Sequence, residues 1–310
     1  MAADESIPSA LQGRLRRWRA PLFIASLIYL LYLLNQSRDA ILAIQSPSWL
    51  ALIASLLLGL LGTLVAALAF FGLLKKYAIS TTLREAFKAY LVSQVAKYIP
   101  GKIWALAYQA LSLGAAFRDG AKLVGVNIEI SLLAVIGTSM LVVGALWWTS
   151  GNPVYLAAFA LSALVLALVP RSQFLRKLIS RFGGSKLPQR DGHDANRFSL
   201  VGITMAVAGF IYHGLALPLA AFAVFGCSLQ DSFLLGALSA AGWVVGTLSL
   251  VFPAGIGIRE LVMVSLGYGS GLFSAELVAA FAVLSRIWMI LIDVAGALLS
   301  LALKRGADSQ

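Results

Sequence analysis

The sequence predicts an all-α integral membrane protein, with about six full transmembrane helices plus two oppositely oriented re-entrant helical hairpins. Three observations predict it. The first is composition: of 310 residues, 60% are hydrophobic and only 12% charged, with a mean hydropathy of +0.89. Soluble domains carry about 25% charged residues. The second is a series of long apolar runs joined by short, cation-rich connections. The third is a pair of Pro/Gly breaks within apolar sequence, at Pro100-Gly101 and at Pro253 to Gly257. At membrane depth every backbone N–H and C=O needs an internal partner, so a break is tolerated only inside protein or along a cavity. Interrupted segments in the two halves of a chain point to the binding site of a transporter-like fold.

The elements follow in order within one polytopic membrane domain, 1–310. Residues 1–20 form a polar lead-in ending in Arg14, Arg16, Arg17 and Arg19, with Trp18 at the interface. The first span is 21–36 and the second 49–74, the latter ending at Lys75-Lys76. Residues 82–117 open with a capping box, Thr82 to Glu85. They then break at Pro100-Gly101, leaving two halves that are each too short to cross. This is the first re-entrant hairpin; a single kinked surface helix is the competing reading. The third span is 123–149 and the fourth 153–170. The loop 171–198 holds seven cations, and the fifth span is 199–225. Region 231–273 breaks at Pro253 to Gly257 and is the second hairpin, although its longer halves also suit two full crossings. The last span, 276–303, carries Arg286 and Asp293.

Charge sets the orientation. With both termini in the cytoplasm, 19 of the 24 cations fall inside and only Arg38 outside. This follows the positive-inside rule, and it makes the two hairpins enter from opposite faces, as an inverted pair does. The expected location is a bacterial-type cytoplasmic (inner) membrane. The net charge of +11 therefore belongs to membrane topology, and no nucleic acid is expected as a partner. The single Cys227 excludes an internal disulfide, and neither His193 nor His213 sits in a cluster with metal-ligand spacing. Neither a metal nor a cofactor is expected.

Four cations and three carboxylates lie in apolar surroundings: Lys97, Lys102, Arg259 and Arg286, with Glu129, Glu260 and Asp293. Intramembrane charges of this kind face a cavity or a partner. Lys102 follows Pro100-Gly101, and Pro favours the first position of a helix. The free N–H groups there, with the positive end of the helix dipole, make an anion site suited to phosphate. Arg259 follows Gly255-x-Gly257 in the same way, so two half-helix ends and two cations can converge on one anionic group. The competing readings are that Lys97 and Lys102 snorkel to the interface, and that Arg259 pairs with Glu129, Glu260 or Asp293. Arg286 and Asp293 lie two turns apart on one helix face, so each needs a partner on another helix. Glu129 is either proton-linked or a counter-ion. Tyr98, Trp104, Tyr108 and Gln109 flank the first break, either lining a headgroup path or forming an interface belt. His213 reads as a packing residue.

At the two motifs the chain resembles a flippase-like transmembrane family that includes the N-terminal membrane region of lysylphosphatidylglycerol synthases. The resemblance rests on Gln94-Val95-Ala96-Lys97-Tyr98-Ile99-Pro100-Gly101-Lys102 with Trp104, on Phe252-Pro253-Ala254-Gly255-Ile256-Gly257-Ile258-Arg259-Glu260, and on Arg286. It covers residues 15–305. It implies movement of an anionic or glycosylated lipid between leaflets. In the synthases a soluble aminoacyl-transferase domain follows the membrane region; this chain ends at Gln310, so lipid aminoacylation is not expected of it. The expected activity is thus translocation of a phosphate-bearing lipid, either a polyprenyl-phosphate-linked sugar or a phospholipid, and not enzymatic catalysis. Lys97, Tyr98, Pro100, Gly101, Lys102, Glu129, Pro253, Gly255, Gly257, Arg259, Glu260, Arg286 and Asp293 are the expected substrate-binding set. The alternatives are a membrane-embedded lipid or glycosyl transferase, and a non-catalytic membrane partner of a glycosyltransferase.

Overall fold

Apolar runs become helices and polar or Gly-rich stretches end them, and the described residues contain no strand. The computed structural model describes residues 35, 38, 47–98, 104–114, 120–168, 195–249, 255 and 257–305. The first span expected at 21–36 apart from residue 35, the basic lead-in, most of the loop 171–198, and Pro100, Gly101, Lys102 and Pro253 lie outside these residues.

Helix α1 runs Trp49–Lys76 and α2 Leu83–Ala96. The Thr82 capping box forms as expected: the Glu85 N–H donates to the Thr82 hydroxyl, and the Thr82 N–H donates to the Glu85 carboxylate at 2.9 Å. Two donors that a helix start leaves orphaned are thereby satisfied. Beyond the first break, α3 runs Trp104–Ser112 and packs back on α2. Helix α4, Gly120–Ser150, is followed by α5, Pro153–Leu168.

Helix α6, Ala195–Gly209, does not continue as a regular helix. It passes into a π-helical segment, Phe210–Ala216, and then into α7, Leu217–Phe225. The Leu217 N–H reaches back five residues to Tyr212 O. Pro218, just beyond, has no N–H to donate and its ring crowds the preceding turn, so the regular ladder is interrupted there. Another helix satisfies the carbonyl at the segment's end: the Ser55 hydroxyl on α1 donates to Ala216 O at 2.6 Å and accepts from Trp288 Nε1 at 2.7 Å.

Helix α8, Leu229–Leu248, α9, Ile258–Gly269, and α10, Ala275–Arg305, are the last of the described helices. Among the described residues, five helical stretches are long and apolar enough to cross a bilayer: Trp49–Lys76, Gly120–Ser150, Val201–Phe225, Leu229–Leu248 and Ala275–Ala302. This marks a multi-pass membrane protein. Leu229–Leu248, the first half of the second broken region, is among them, whereas α2 and α3 on either side of the first break are short.

The core is organised around α10, of which 67% of the crossing window is buried. It packs against α1, α2 and α9. Outward faces carry large apolar side chains such as Trp49, Leu57 and Leu298, as a bilayer requires. Small residues let the backbones close up. A Cβ on Gly236 of α8 would lie 2.2 Å from His213 O, so this glycine is what lets α8 rest on the π-helical segment.

Candidate functional site

The second break is built by glycine. Gly255 and Gly257 have φ of 65° and 85°, a region that other residues enter only with strain. Gly255 also lies against α8, where an added Cβ would stand 2.9 Å from Gly246 Cα. This turn starts α9 at Ile258 and puts Arg259 and Glu260 in its first turn, both buried. One Glu260 oxygen, Oε2, accepts the Gly257 N–H at 2.8 Å, holding the helix start. The other, Oε1, accepts from Arg286 Nη2 at 2.7 Å and Nε at 3.1 Å. Arg286 and Glu260 thus form a buried two-point pair between α10 and α9.

Arg259 is completed differently. It is 2% exposed, and its Nη2 donates to the hydroxyls of Ser239 and Ser285, each at 3.0 Å, while Nη1 donates to the Met289 sulfur at 3.4 Å. Among the described residues no carboxylate pairs with it, so the pairing of Arg259 with Glu129, Glu260 or Asp293 does not form. Its Nε has no partner among them. A buried guanidinium held only by neutral groups carries a large uncompensated desolvation cost.

The end of α2 meets the same face of α10. Lys97 Nζ lies 2.9 Å from Asp293 Oδ2, and the Tyr98 hydroxyl donates to that oxygen at 2.6 Å. Arg286 and Asp293 therefore do find partners on other helices, as their spacing requires. Each broken region is tied to α10 by one of them.

Beside these tethers lies a cavity of about 130 Å³. Lys97, Asp293 and Met289 line it, with Tyr212, His213 and Trp243. Met289 joins the cavity to Arg259. The Tyr212 hydroxyl and His213 Nδ1 are buried without a hydrogen-bond partner among the described residues, although the two rings stack edge-on at 4.8 Å. Three cations (Lys97, Arg259, Arg286) face two carboxylates (Glu260, Asp293), so the cluster carries one net positive charge.

Six of the expected residues come together here: Lys97, Tyr98, Arg259, Glu260, Arg286 and Asp293. Gly255 and Gly257 shape the turn behind them. Glu129 stands apart. Lys76 and Tyr77 at the end of α1 hold its carboxylate, Tyr77 at 3.0 Å, so it ties α1 to α4. Gln109 is buried, donating to Ser93 at 2.9 Å and accepting from Asn127 at 2.8 Å, which closes α3 on α2 and α4. Sequence reasoning missed Tyr212, Ser239, Ser285 and Met289, and took His213 as packing. The available signal for the π-helical residues was Pro218, five residues after His213 within an apolar span.

No family model, curated protein or solved structure matches the chain.

Proposed function

We propose that this protein moves an anionic, phosphate-bearing lipid between membrane leaflets, and that the cavity beside Arg259 receives the headgroup. The observation that carries this reading is the completion of Arg259. It is a buried cation, preorganised by two serine hydroxyls, in a cluster with one positive charge in excess. An anionic oxygen reaching the guanidinium would replace weak neutral partners with charge-assisted bonds. A π-helical segment in the cavity wall fits, since such segments concentrate at functional sites. The resemblance of the two motifs to the flippase-like family points the same way.

In this reading the chain crosses the bilayer of a bacterial-type cytoplasmic membrane six times, with both termini inside. The two broken regions enter from opposite faces as re-entrant hairpins. Lys102 and its half-helix end add a second cation to the headgroup. The Lys97–Asp293 and Arg286–Glu260 pairs are the contacts that exchange as the site opens to one leaflet and then the other. The lipid is a polyprenyl-phosphate-linked sugar or a phospholipid, and neither a cofactor nor catalytic chemistry by the chain is involved.

The test is leaflet exchange of fluorescent phosphatidylglycerol, phosphatidylcholine and a polyprenyl phosphate in proteoliposomes. The reading predicts exchange of an anionic lipid by the wild type and its loss in Arg259→Gln. Equal exchange of neutral and anionic lipids, unchanged by that substitution, would remove the basis for the assignment.

A further inference from the structure

The wall of the polar cavity is rich in uncharged hydrogen-bonding side chains. Tyr90 and Gln94 of α2, Thr138 of α4, Tyr212 and His213 of the π-helical segment and Trp243 of α8 all line it. Between them they carry three hydroxyls, an amide, an imidazole and an indole N–H. The charged side chains on the wall are Lys97 and Asp293, which neutralise one another at 2.9 Å. The cavity of about 130 Å³ equals about four waters of liquid at ~30 Å³ each. It therefore takes one small polar group.

Two of these side chains have unspent atoms. Neither the Tyr212 hydroxyl nor His213 Nδ1 has a hydrogen-bond partner among the described residues, and His213 is only 3% exposed. Native proteins leave few such atoms, because each has given up its bonds to water. Here two lie on neighbouring residues, at one cavity, on a segment whose helical ladder is already interrupted. Both atoms sit just behind the cavity surface, so a small movement of either ring brings them to a ligand. The Gln94 amide spends its oxygen on Lys97 at 3.1 Å, which leaves its NH₂ for another partner.

This wall suits a polyol. Each hydroxyl of a polyol donates and accepts, as the Tyr212 and Thr138 hydroxyls do, and its C–H face packs on aromatic rings. An ammonium headgroup has the rings but finds no free carboxylate, since Lys97 and Tyr98 hold Asp293 and Arg286 holds Glu260. It would also add to a cluster that is already positive. We propose that the cavity is a subsite for a small neutral polyol, a sugar or a glycerol, attached to the lipid phosphate, with Tyr212, His213 and Thr138 reading its hydroxyls. The proposal rests on the phosphate-lipid reading above and adds which headgroups are accepted.

The experiment titrates the lipid-free full chain in detergent with one lipid at a time and measures bound lipid by native mass spectrometry. The probes are phosphatidylglycerol and a polyprenyl-phosphate glucose, each beside its methyl phosphodiester analogue, which keeps the charge and lacks the polyol. Phosphatidylcholine completes the set. In one of the two pairs the polyol lipid is expected to bind about tenfold more tightly than its analogue, and that pair tells glycerol from sugar. Tyr212→Phe and, separately, Thr138→Val are expected to weaken the polyol lipid towards its analogue and leave the analogue unchanged. Tyr212→Phe removes a buried hydroxyl that has no partner, so the melting temperature of the lipid-free protein is expected to hold or rise. A fall would mark the hydroxyl as structural and overturn its role in binding. Equal binding within both pairs overturns the subsite and assigns the unpaired atoms to water; loss of all four anionic lipids in Arg259→Gln would then still uphold the phosphate reading. A polyol preference lost in both variants, but untouched in Arg259→Gln and shared by an uncharged glucosyl diacylglycerol, upholds the subsite and refutes the phosphate reading. Tightest binding of phosphatidylcholine overturns the proposal in favour of an ammonium cage.

Discussion

The ends of the two broken regions look alike in sequence, a cation beside a Pro/Gly turn in each, yet the fold completes them in opposite ways. Lys97, with a side chain 30% exposed, has its own carboxylate in Asp293 and a hydroxyl neighbour in Tyr98. Arg259 is buried, and Ser239, Ser285 and Met289 are its partners. Its chain neighbour Glu260 spends both oxygens elsewhere, on Gly257 and Arg286. A neutralised, partly hydrated pair can part and re-form at modest cost. A buried cation without a counter-ion gains most from a ligand that supplies one. In the proposed reading the difference separates a tether from a binding group, although both regions dock on one face of α10.

The comparison can be broken at several points. The largest effect on stability belongs to the second region. Glu260→Gln takes the carboxylate from the buried Arg286 guanidinium and should cost about 3–5 kcal/mol, read by chemical denaturation in detergent. The double variant Glu260→Gln/Arg286→Met should recover most of that loss. A cost below about 1 kcal/mol for the single change would mean that the pair does not anchor α9.

Asp293→Asn comes next, at about 1–3 kcal/mol, because it loosens a charged acceptor from two donors at once. Hydrogen exchange should rise at the end of α2, residues 90–98, and stay unchanged in α9. Parallel loosening of both would show that the two tethers act as one unit. Tyr98→Phe removes a single hydrogen bond to the carboxylate and should cost about 1.5 kcal/mol, with a smaller rise in exchange over the same residues.

The smallest effect is at the start of α2. Thr82→Ala should cost about 1 kcal/mol through loss of the cap, measured as a lowered melting temperature. The Thr82 backbone N–H, and then its hydroxyl, hold the Glu85 carboxyl below its usual value of 4.5. A carboxyl bound more weakly by protons in the folded state stabilises the fold above its unfolded pKa. That contribution is lost as pH falls through the folded value, so Glu85→Gln should flatten the acid side of the stability profile.

Much of the site was legible in the chain, because its signals are local or energetic. The Thr82 box is a four-residue pattern. Gly255 and Gly257 announce a turn that other residues would strain. Arg286 and Asp293, charged within an apolar span and two turns apart, had to find partners off their own helix. Which partners they find is a matter of tertiary geometry: Tyr98 and Asp293 are 195 positions apart, and no periodicity connects them. The serines that hold Arg259 lie in apolar helices where small residues usually mean close packing. The π-helical segment leaves no trace in hydrophobic period, because it adds one residue to a turn within a continuous apolar run. Glu129 carried the same signal as Asp293, but its partner is Lys76, a cation that charge counting alone placed with the loop.

The central claim is that Arg259 is a binding group and not a structural one. Native mass spectrometry of lipids retained by wild type, Arg259→Gln and Lys102→Ala/Arg259→Ala tests it most directly. The account predicts one phosphate-bearing lipid class enriched in the wild type, reduced about 10- to 100-fold in Arg259→Gln by the loss of a charged hydrogen-bonding group, and absent from the double variant, with all three proteins equally folded. The same unselective lipids on all three would contradict it.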